Sequence, residues 1–576
     1  MPDKRYGKKG PDTQYPVADW LYGHRLMLGQ HWLEYTLEFL NVLAGYGYRL
    51  GQGIDLDGEK KPLLPKGSDN KVPGYKVRGR FGLRRFVFYD GTDSSSCLTD
   101  STALAELEKH LQDHYLGYTE HGDTKHALEQ VRSLMKSFTV VESGRSWFAR
   151  SLFPVHDRFL LFESRRVTNK DLNNAENYDD GMRTSDRNFY ARGGEIYYLM
   201  LSAGTEGHPE RREFIGNRIE DLMKCEKSLG QLAELIDNAW KNNKDERYGD
   251  LGWLPDKNCV SYRLASEDMY NFLSCKMDQT NAIELMSHLV GFHLIQMLYR
   301  KTNQASQNSF TTLPSSDDPY RPRIPIDCIA SSDNRAIRDV SMSFFKAQGD
   351  NQEKGVRAYI RNRVNAWVDY FLSNILNNIK SEQLSSPQTK LLLNELNKKA
   401  KEFFNIKELR GNNFDDGFRI IQRDDLKPKE AIERFINLLI EIQLERFRKT
   451  TMGIHGKIGR GIGLIAPKTG RGARYVLGSR LTEALVSSIV PPGEEIEFTR
   501  FVGELYERYG LIIGPVQARQ SELLKYRQID RQFYKDNEQA FRRQLHNAGL
   551  LHEFSDATAI VVNPYQCVKQ ENTALV

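Results

Sequence analysis

The densest group of side chains able to do chemistry lies between Arg446 and Arg480. That segment holds nine positive residues, eight glycines and no Asp or Glu. A strip of this kind attracts polyanions, and its glycines let backbone amides come close to phosphates. Within it, Lys449, Lys457, Arg460, Lys468, Arg471, Arg474 and Arg480 are the expected phosphate contacts, with Arg446 and Arg448 at its start. It is not a Walker A loop, because Ile458 follows Gly456–Lys457 where Ser or Thr is needed. Nor is it a phospholipase-D-type HxK site. His455 and Lys457 fit, but Ile462 stands in place of the required Asp.

Other constellations imitate active sites without completing them. Cys275, His288 and His293, with Cys259 upstream, imitate a zinc finger. The cysteines are too far apart for one site, and histidines five apart on a helix do not share a face. Asp415, Asp416, Asp425 and Lys427 in FDDGFRIIQRDDLK have the residue types of a metal-dependent nuclease core. A charged turn before a helix starting near Pro428 explains them as well. Arg25 with His31, and Arg448 with His455, lack the spacing and the Asn-type partner of an RNase pair. GxSxG, HExxH and GxGxxG are absent. No catalytic residue, metal or cofactor is assigned.

Two clusters mix aromatic and basic residues, Tyr75–Tyr89 (YKVRGRFGLRRFVFY) and Arg187–Tyr198 (RNFYARGGEIYY). Interleaved rings and cations stack on bases in some proteins and serve as core in more. For the second cluster a structural turn or subunit contact at Arg192–Glu195 is the expectation.

The elements that must carry these residues are mostly helices. The chain has 576 residues, 39% of them hydrophobic, with a net charge of +5. This is the balance of several globular domains rather than of a disordered chain. Six scattered cysteines without a CxxC pair suit reduced thiols in the cytoplasm. No signal-peptide core is visible at the N-terminus, and the apolar stretch 285–298 is too short and too polar to span a membrane. It reads as a buried helix. The fold class is mainly α with small β elements. An N-terminal mixed region is expected at 1–150, with strands near Tyr75–Asp90; along the chain, short strands are expected at 138–165 and a polar loop at 167–187. A helical domain follows at 151–300. The Ser-, Thr-, Asn- and Pro-rich stretch 301–325 reads as a linker. A second helical domain at 326–448 has helices at 335–348 and 353–380. A basic glycine-rich loop then fills 449–478, a C-terminal module 479–566, and a tail 567–576.

The C-terminal module has the most legible pattern. A helix over 479–490 ends at Pro491–Pro492–Gly493. A second helix within 496–509 buries Phe498, Phe501, Val502, Leu505 and Tyr509. After an insertion at 515–531, Asp536 caps a helix over 537–548, Gly549 terminates it, and 550–562 form a hairpin. This order resembles winged-helix domains of the helix-turn-helix group. The resemblance implies that helix 537–548 enters a DNA major groove with Asn537, Glu538, Arg542, Arg543 and His546 as its polar positions, while the hairpin touches backbone or minor groove. Together with FYARGGEIYYLMLSAG (189–204), the chain resembles accessory proteins of bacterial antiphage and DNA-restriction systems. That resemblance implies a non-catalytic adaptor that binds duplex DNA while a partner ATPase, helicase or nuclease does the chemistry. A cryptic metal-dependent nuclease and a docking scaffold without nucleic acid are the alternatives.

Overall fold

The computed structural model describes residues 16–24, 26–45, 48–54, 98–114, 124–139, 193–224, 227–239, 259–313, 315–329, 335–375, 384–404, 414–423, 426–526, 529–554 and 558–568. It adds short pieces at 60–62, 74–78, 83, 86–87, 153, 156–159, 246–250 and 406. The loop expected at 167–187, nearly all of the strands expected over 138–165, and Arg25, Arg187, Arg192 and Asp425 lie outside the described residues.

The chain is mainly α-helical with small strands, as its composition and periodicity indicate. It opens with α1 (Pro16–Tyr22) and α2 (Trp32–Leu40), then β1 (Gln52–Ile54), β2 (Lys60–Pro62) and β3 (Gly74–Arg78). Helices α3 (Leu98–His114) and α4 (Thr124–Lys136) follow. Next come α5 (Glu195–Gly204), α6 (Pro209–Met223) and α7 (Lys227–Ala239), and β4 (Glu246–Asp250). Strand β4 pairs antiparallel along β3 from Gly74↔Asp250 to Arg78↔Glu246, in a sheet ordered β2–β1–β3–β4. The expected strand at Tyr75 thus exists, but its main partner comes from beyond residue 240. Leu83, Phe86 and Val87 are helical, and they join α3, α4 and α7 in a small separate core.

The main core is built around one helix. Helices α8 (Val260–Leu273) and α9 (Gln279–Ser306) follow β4, and almost every residue of α9 from Ala282 to Asn303 is buried. A helix apolar on all sides must be enclosed on all sides. Here α2, α8 and the later helices α10 (Arg335–Ile375), α14 (Ile454–Ile462) and α15 (Ser479–Ile489) surround it. No helix of the described residues is long and apolar enough to cross a membrane.

Two expectations change here. The polar stretch 301–325 is no loose linker. Its first residues continue α9, and Thr311, Thr312, Leu313, Arg321 and Ile324 are buried. Its polar groups satisfy one another. Asn303 Nδ2 donates to the carbonyls of Thr311 and Tyr320, Thr311 Oγ1 donates to Asn303 Oδ1, and Arg300 pairs with Asp318 at 2.8 Å. Strand β5 (Ile324–Pro325) then pairs parallel with the later β9 (Leu511–Ile512). Polar composition marks a linker only where those groups face water. The helices expected at 335–348 and 353–380 are likewise the single α10. Gly349 and Gly355 fall inside it, and the Gly355 position lies close to the Thr302 carbonyl of α9.

After α11 (Ser386–Phe403), α12 (Phe414–Arg423) and α13 (Pro428–Thr450), the segment expected to be a basic loop begins with helix α14. Ile454, His455, Gly456, Ile458, Gly459 and Ile462 are buried in it. Its glycines serve packing. A Cβ at Gly459 would strike Ile465, and one at Gly461 would strike the Trp32 ring of α2. Strands β6 (Ile465–Ala466) and β7 (Arg474–Tyr475) pair antiparallel, and the turn between them is a loop.

The C-terminal module runs α15, β8 (Glu495–Glu497), α16 (Phe498–Tyr509), β9, α17 (Pro515–Gln520), α18 (Arg531–Asn547), β10 (Leu551–Glu553) and β11 (Ala559–Val562). Its sheet is ordered β10–β11–β8, antiparallel throughout, with Leu551↔Val561 and Val561↔Ile496 in register. The expected inner face of α16 is buried as read. Gly549 follows α18 with φ +70°, the left-handed turn a side chain would oppose. The cap of α18 is Asp530, whose carboxylate accepts from Gln532 N at 2.8 Å, and Asp536 lies inside the helix instead.

Helix crossings give a direct test. A Cβ at Gly204 of α5 would collide with the Tyr262 backbone carbonyl of α8, whereas Gly216 of α6 has open space around it. Gly204→Ala should destabilise by about 1–3 kcal/mol through overpacking. Gly216→Ala should stabilise by up to about 1 kcal/mol through helix propensity. Denaturant unfolding of the two variants should move in opposite directions.

Candidate nucleic-acid interface

Helix α18 has two unlike faces. Tyr534, Asn537, Phe541 and Leu545 recur at three- and four-residue spacing and are buried. Phe541 stacks on Phe501 of α16 at 6.4 Å with an interplanar angle of 10°. The opposite face carries Gln532, Lys535, Asp536, Gln539, Arg543 and His546, all exposed. Arg543 and His546 have no ion-pair or hydrogen-bond partner among the described residues.

The other expected contacts on this helix are already engaged. Asn537 is fully buried. Its Nδ2 donates to the carbonyls of Ile326 (3.0 Å) and Ile513 (2.9 Å), and its Oδ1 accepts from Cys328 N at 2.9 Å. It ties the residues after β5 and β9 to α18 and cannot reach a base edge. Arg542 pairs with Glu553 of β10 at 2.7 Å, which fastens helix to hairpin. Glu538 is half-buried, and burial raises its carboxyl above the usual range.

The basic strip divides in the same way. Arg474 donates to Asp327 at 2.7 Å, and that carboxylate, wholly buried, also takes Arg338 at 3.5 Å. Arg480 is held by Glu284 (2.7 Å) and Glu483 (2.9 Å), contacts that raise its pKa further. Arg460 donates to the carbonyls of Pro467 and Gly456, both at 3.3 Å. Lys457 is half-buried. Arg446 is buried, and Arg448 pairs with Glu353. Lys449 is exposed and reaches Glu445 at 2.6 Å, an i,i+4 pair weak enough to yield to a phosphate. Lys468 and Arg471 stand exposed in the β6–β7 turn, with no partner among the described residues. Gly470 (φ +93°) and Gly472 (φ +82°) shape that turn. Lys468, Arg471, Arg543 and His546 are therefore the expected contacts that remain exposed and unpaired. Lys535 and Gln539 join them on α18. Placing the helix start at 537 left Lys535 outside the helix, although Asp530 before Arg531 was a readable cap.

Of the imitation active sites, Arg25 and Asp425 lie outside the described residues. Among the described residues no group of three His, Cys, Asp or Glu side chains could hold a metal ion. Asp415 pairs with Lys401 at 2.5 Å and Asp416 with Arg419 at 3.1 Å. His288 Nδ1 lies 2.9 Å from the Ile462 carbonyl, while His293 belongs to a different cluster. At Gly193–Glu195 the turn is structural. Gly194 N donates to Glu38, and Glu195 pairs with His24 at 2.9 Å, all buried.

That second cluster was not foreseen. Asp268 of α8 is fully buried and collects Arg508, Tyr509 Oη at 2.6 Å and His293 Nε2 at 2.8 Å. An ionised carboxylate only accepts, so His293 Nε2 donates, and Nδ1 then meets Tyr197 Oη at 2.8 Å. Burial alone would raise the Asp268 pKa. The Arg508 guanidinium and the hydrogen bonds from His293 and Tyr509 outweigh it and hold the carboxyl below its usual range. The Tyr–His–Asp order has the look of a proton relay, but Tyr197, His293 and Asp268 have no more than 2% exposure. It joins α5, α8, α9 and α16. Elsewhere, burial together with the nearby Arg460 guanidinium lowers the His455 pKa to about 4.

Two consequences are measurable. Asp268→Asn strands the Arg508 charge and should cost about 3–5 kcal/mol, whereas Glu430→Gln, which breaks the exposed pair with Arg434, should cost under about 1 kcal/mol. His455 should contribute to the pH response. Its depressed folded pKa means that stability is full above about 6.5 and falls as the unfolded chain takes up a proton the folded one refuses. By pH 5 the loss is about 2 kcal/mol, and His455→Gln should remove that part of the pH dependence. Asp268 contributes nothing over that window, because its stabilisation is lost only as pH falls through its low folded value.

Comparison with known proteins places this geometry in a family. No curated protein matches the chain. The family model described as methylation-associated defense system protein MAD7 matches residues 262–564, from the start of α8 past the end of β11. That span covers more than half of the sequence and includes the central helix, the basic strip and the whole C-terminal module. The chain belongs to the MAD7 family of methylation-associated defense system proteins.

Proposed function

We propose that this protein is a non-catalytic, DNA-contacting subunit of a methylation-associated defense assembly. The C-terminal module acts as its winged helix. The observation that carries the reading is the order α15, β8, α16, α18 and the hairpin β10–β11, with β9 and α17 inserted before α18 and β8 closing the sheet β10–β11–β8. Apart from that insertion the order resembles a winged helix, in which the last helix enters the major groove. The exposed face of α18 has the chemistry for this, with Lys535 and Arg543 for phosphates or guanine edges and Gln539 for adenine. The β10–β11 hairpin, with exposed His552 and Phe554, takes the wing's place beside it. Lys468 and Arg471 in the β6–β7 turn supply backbone contact. Family membership supports the setting, in which partner subunits such as an ATPase, helicase or nuclease carry out the chemistry.

Labelled duplex DNA titrated with the full-length protein at low and physiological salt tests this. Binding should weaken steeply with salt, with a log–log slope of about −0.9 per phosphate neutralised. Lys468→Glu/Arg471→Glu should weaken all sequences alike, by at least about tenfold, and flatten the slope. Arg543→Ala should cost about 1–3 kcal/mol and relax base preference. Absence of duplex binding by the wild-type protein at low salt would make the module a protein-docking element.

A further inference from the structure

Cys275 and Cys567 face each other across an isolated antiparallel bridge. Cys275 lies in the turn between α8 and α9, and Cys567 lies five residues beyond β11. The hydrogen bonds of the bridge fall outside the pair. Lys276 N donates to Gln566 O at 2.7 Å, and Val568 N donates to Ser274 O at 2.8 Å. The two cysteines therefore occupy the non-hydrogen-bonded position of an antiparallel ladder. There the Cα atoms approach to about 4.5 Å and both side chains leave on the same face. That separation lies inside the range of about 4.4–6.8 Å that a disulfide spans.

Both thiols are free, and their surroundings differ. Cys275 is buried, with Sγ donating to the carbonyls of Asn271 (3.6 Å) and Ser487 (3.7 Å) and accepting from Asn563 Nδ2 at 3.3 Å. Burial pushes its thiol up to about 11, with the Cys567 thiol adding to the effect. Cys567 is exposed. One thiol of the pair thus meets solvent oxidants, and the other waits in a fixed pocket behind it.

We propose that Cys275 and Cys567 form an oxidation site at which a peroxide closes a disulfide, stapling the segment after β11 to the α8–α9 turn. In the first step the Cys567 thiolate attacks one peroxide oxygen. The O–O bond breaks, hydroxide leaves and takes a proton as water, and Cys567 becomes a sulfenic acid. In the second step the Cys275 sulfur attacks the Cys567 sulfur. The S–O bond breaks, the thiol proton leaves with the hydroxyl as a second water, and the S–S bond forms. The two thiols lose two electrons and two protons, and hydrogen peroxide is reduced to two waters. The staple fixes the end of the β10–β11–β8 sheet to the central helices and does not depend on what that sheet contacts.

The test uses the full chain, reduced, desalted and treated with hydrogen peroxide. Remaining thiols are alkylated, and the protein is digested without reductant. Mass spectrometry should find the Cys275 and Cys567 peptides joined, lighter by two hydrogens than their sum and separated by reductant. The oxidised wild type should unfold several degrees higher than the reduced protein, and Cys567→Ser, at an exposed position, should abolish both the joined peptide and the shift. The proposal is overturned if Cys567 is recovered as sulfinic or sulfonic acid, alkylated, or joined to another cysteine. It is equally overturned if the joined peptide forms and the unfolding temperature does not rise.

Discussion

A single buried carboxylate governs how the C-terminal module sits on the body. Asp268 has no access to water, and an isolated charge in such a place is too costly to keep. It persists because Arg508 and Tyr509, the last two residues of α16, and His293 of α9 all point at it. Each must be in position for the charge to be tolerated. The orientation of α16, and with it the module, therefore follows from electrostatics as well as from area. His293 passes the constraint on to Tyr197, whose ring lies parallel to the imidazole at 5.9 Å, and so to α5. Four helices from distant parts of the chain meet at one ion.

The same logic explains where reading the sequence succeeded and where it did not. The inner face of α16 was legible because Phe498, Phe501, Val502, Leu505 and Tyr509 repeat at helical spacing, and apolar residues at that spacing have one place to go. The burial of α9 was legible for the same reason. Asn537 was not. An amide in a helix with basic neighbours reads as a solvent residue, and only the fold supplies the carbonyls of Ile326 and Ile513 that take it inside. The stretch 301–325 misled in the same direction, because Asn303, Thr311 and Asp318 find partners within the chain. Polar residues carry no periodic signal that separates those facing water from those facing each other.

Glycine carries a similar ambiguity. Glycines in a basic segment can expose backbone amides to a phosphate or let two helices touch, and composition cannot distinguish the two. In α14 the second use holds. Gly459 and Gly461 meet Ile465 and Trp32 at distances that leave no room for a side chain. In the turn between β6 and β7 the first remains open, since Gly470 has nothing near it. The boundary between structural and ligand-facing glycine thus falls inside one short stretch of sequence.

Buried acids also decide which cations are left for a ligand. Asp327 consumes Arg474 and part of Arg338, Asp318 consumes Arg300, and Asp268 consumes Arg508. At the surface Glu284 and Glu483 hold Arg480, and Glu553 holds Arg542. A count of positive residues along the chain overstates the charge offered to a polyanion, because the arginines that best neutralise a buried carboxylate are those the fold keeps. Lys468 and Arg471 in the β6–β7 turn and Arg543 on α18 are among the exposed charges that have no partner among the described residues. The duplex contact that we propose would draw on such groups and not on the arginines that the buried carboxylates hold.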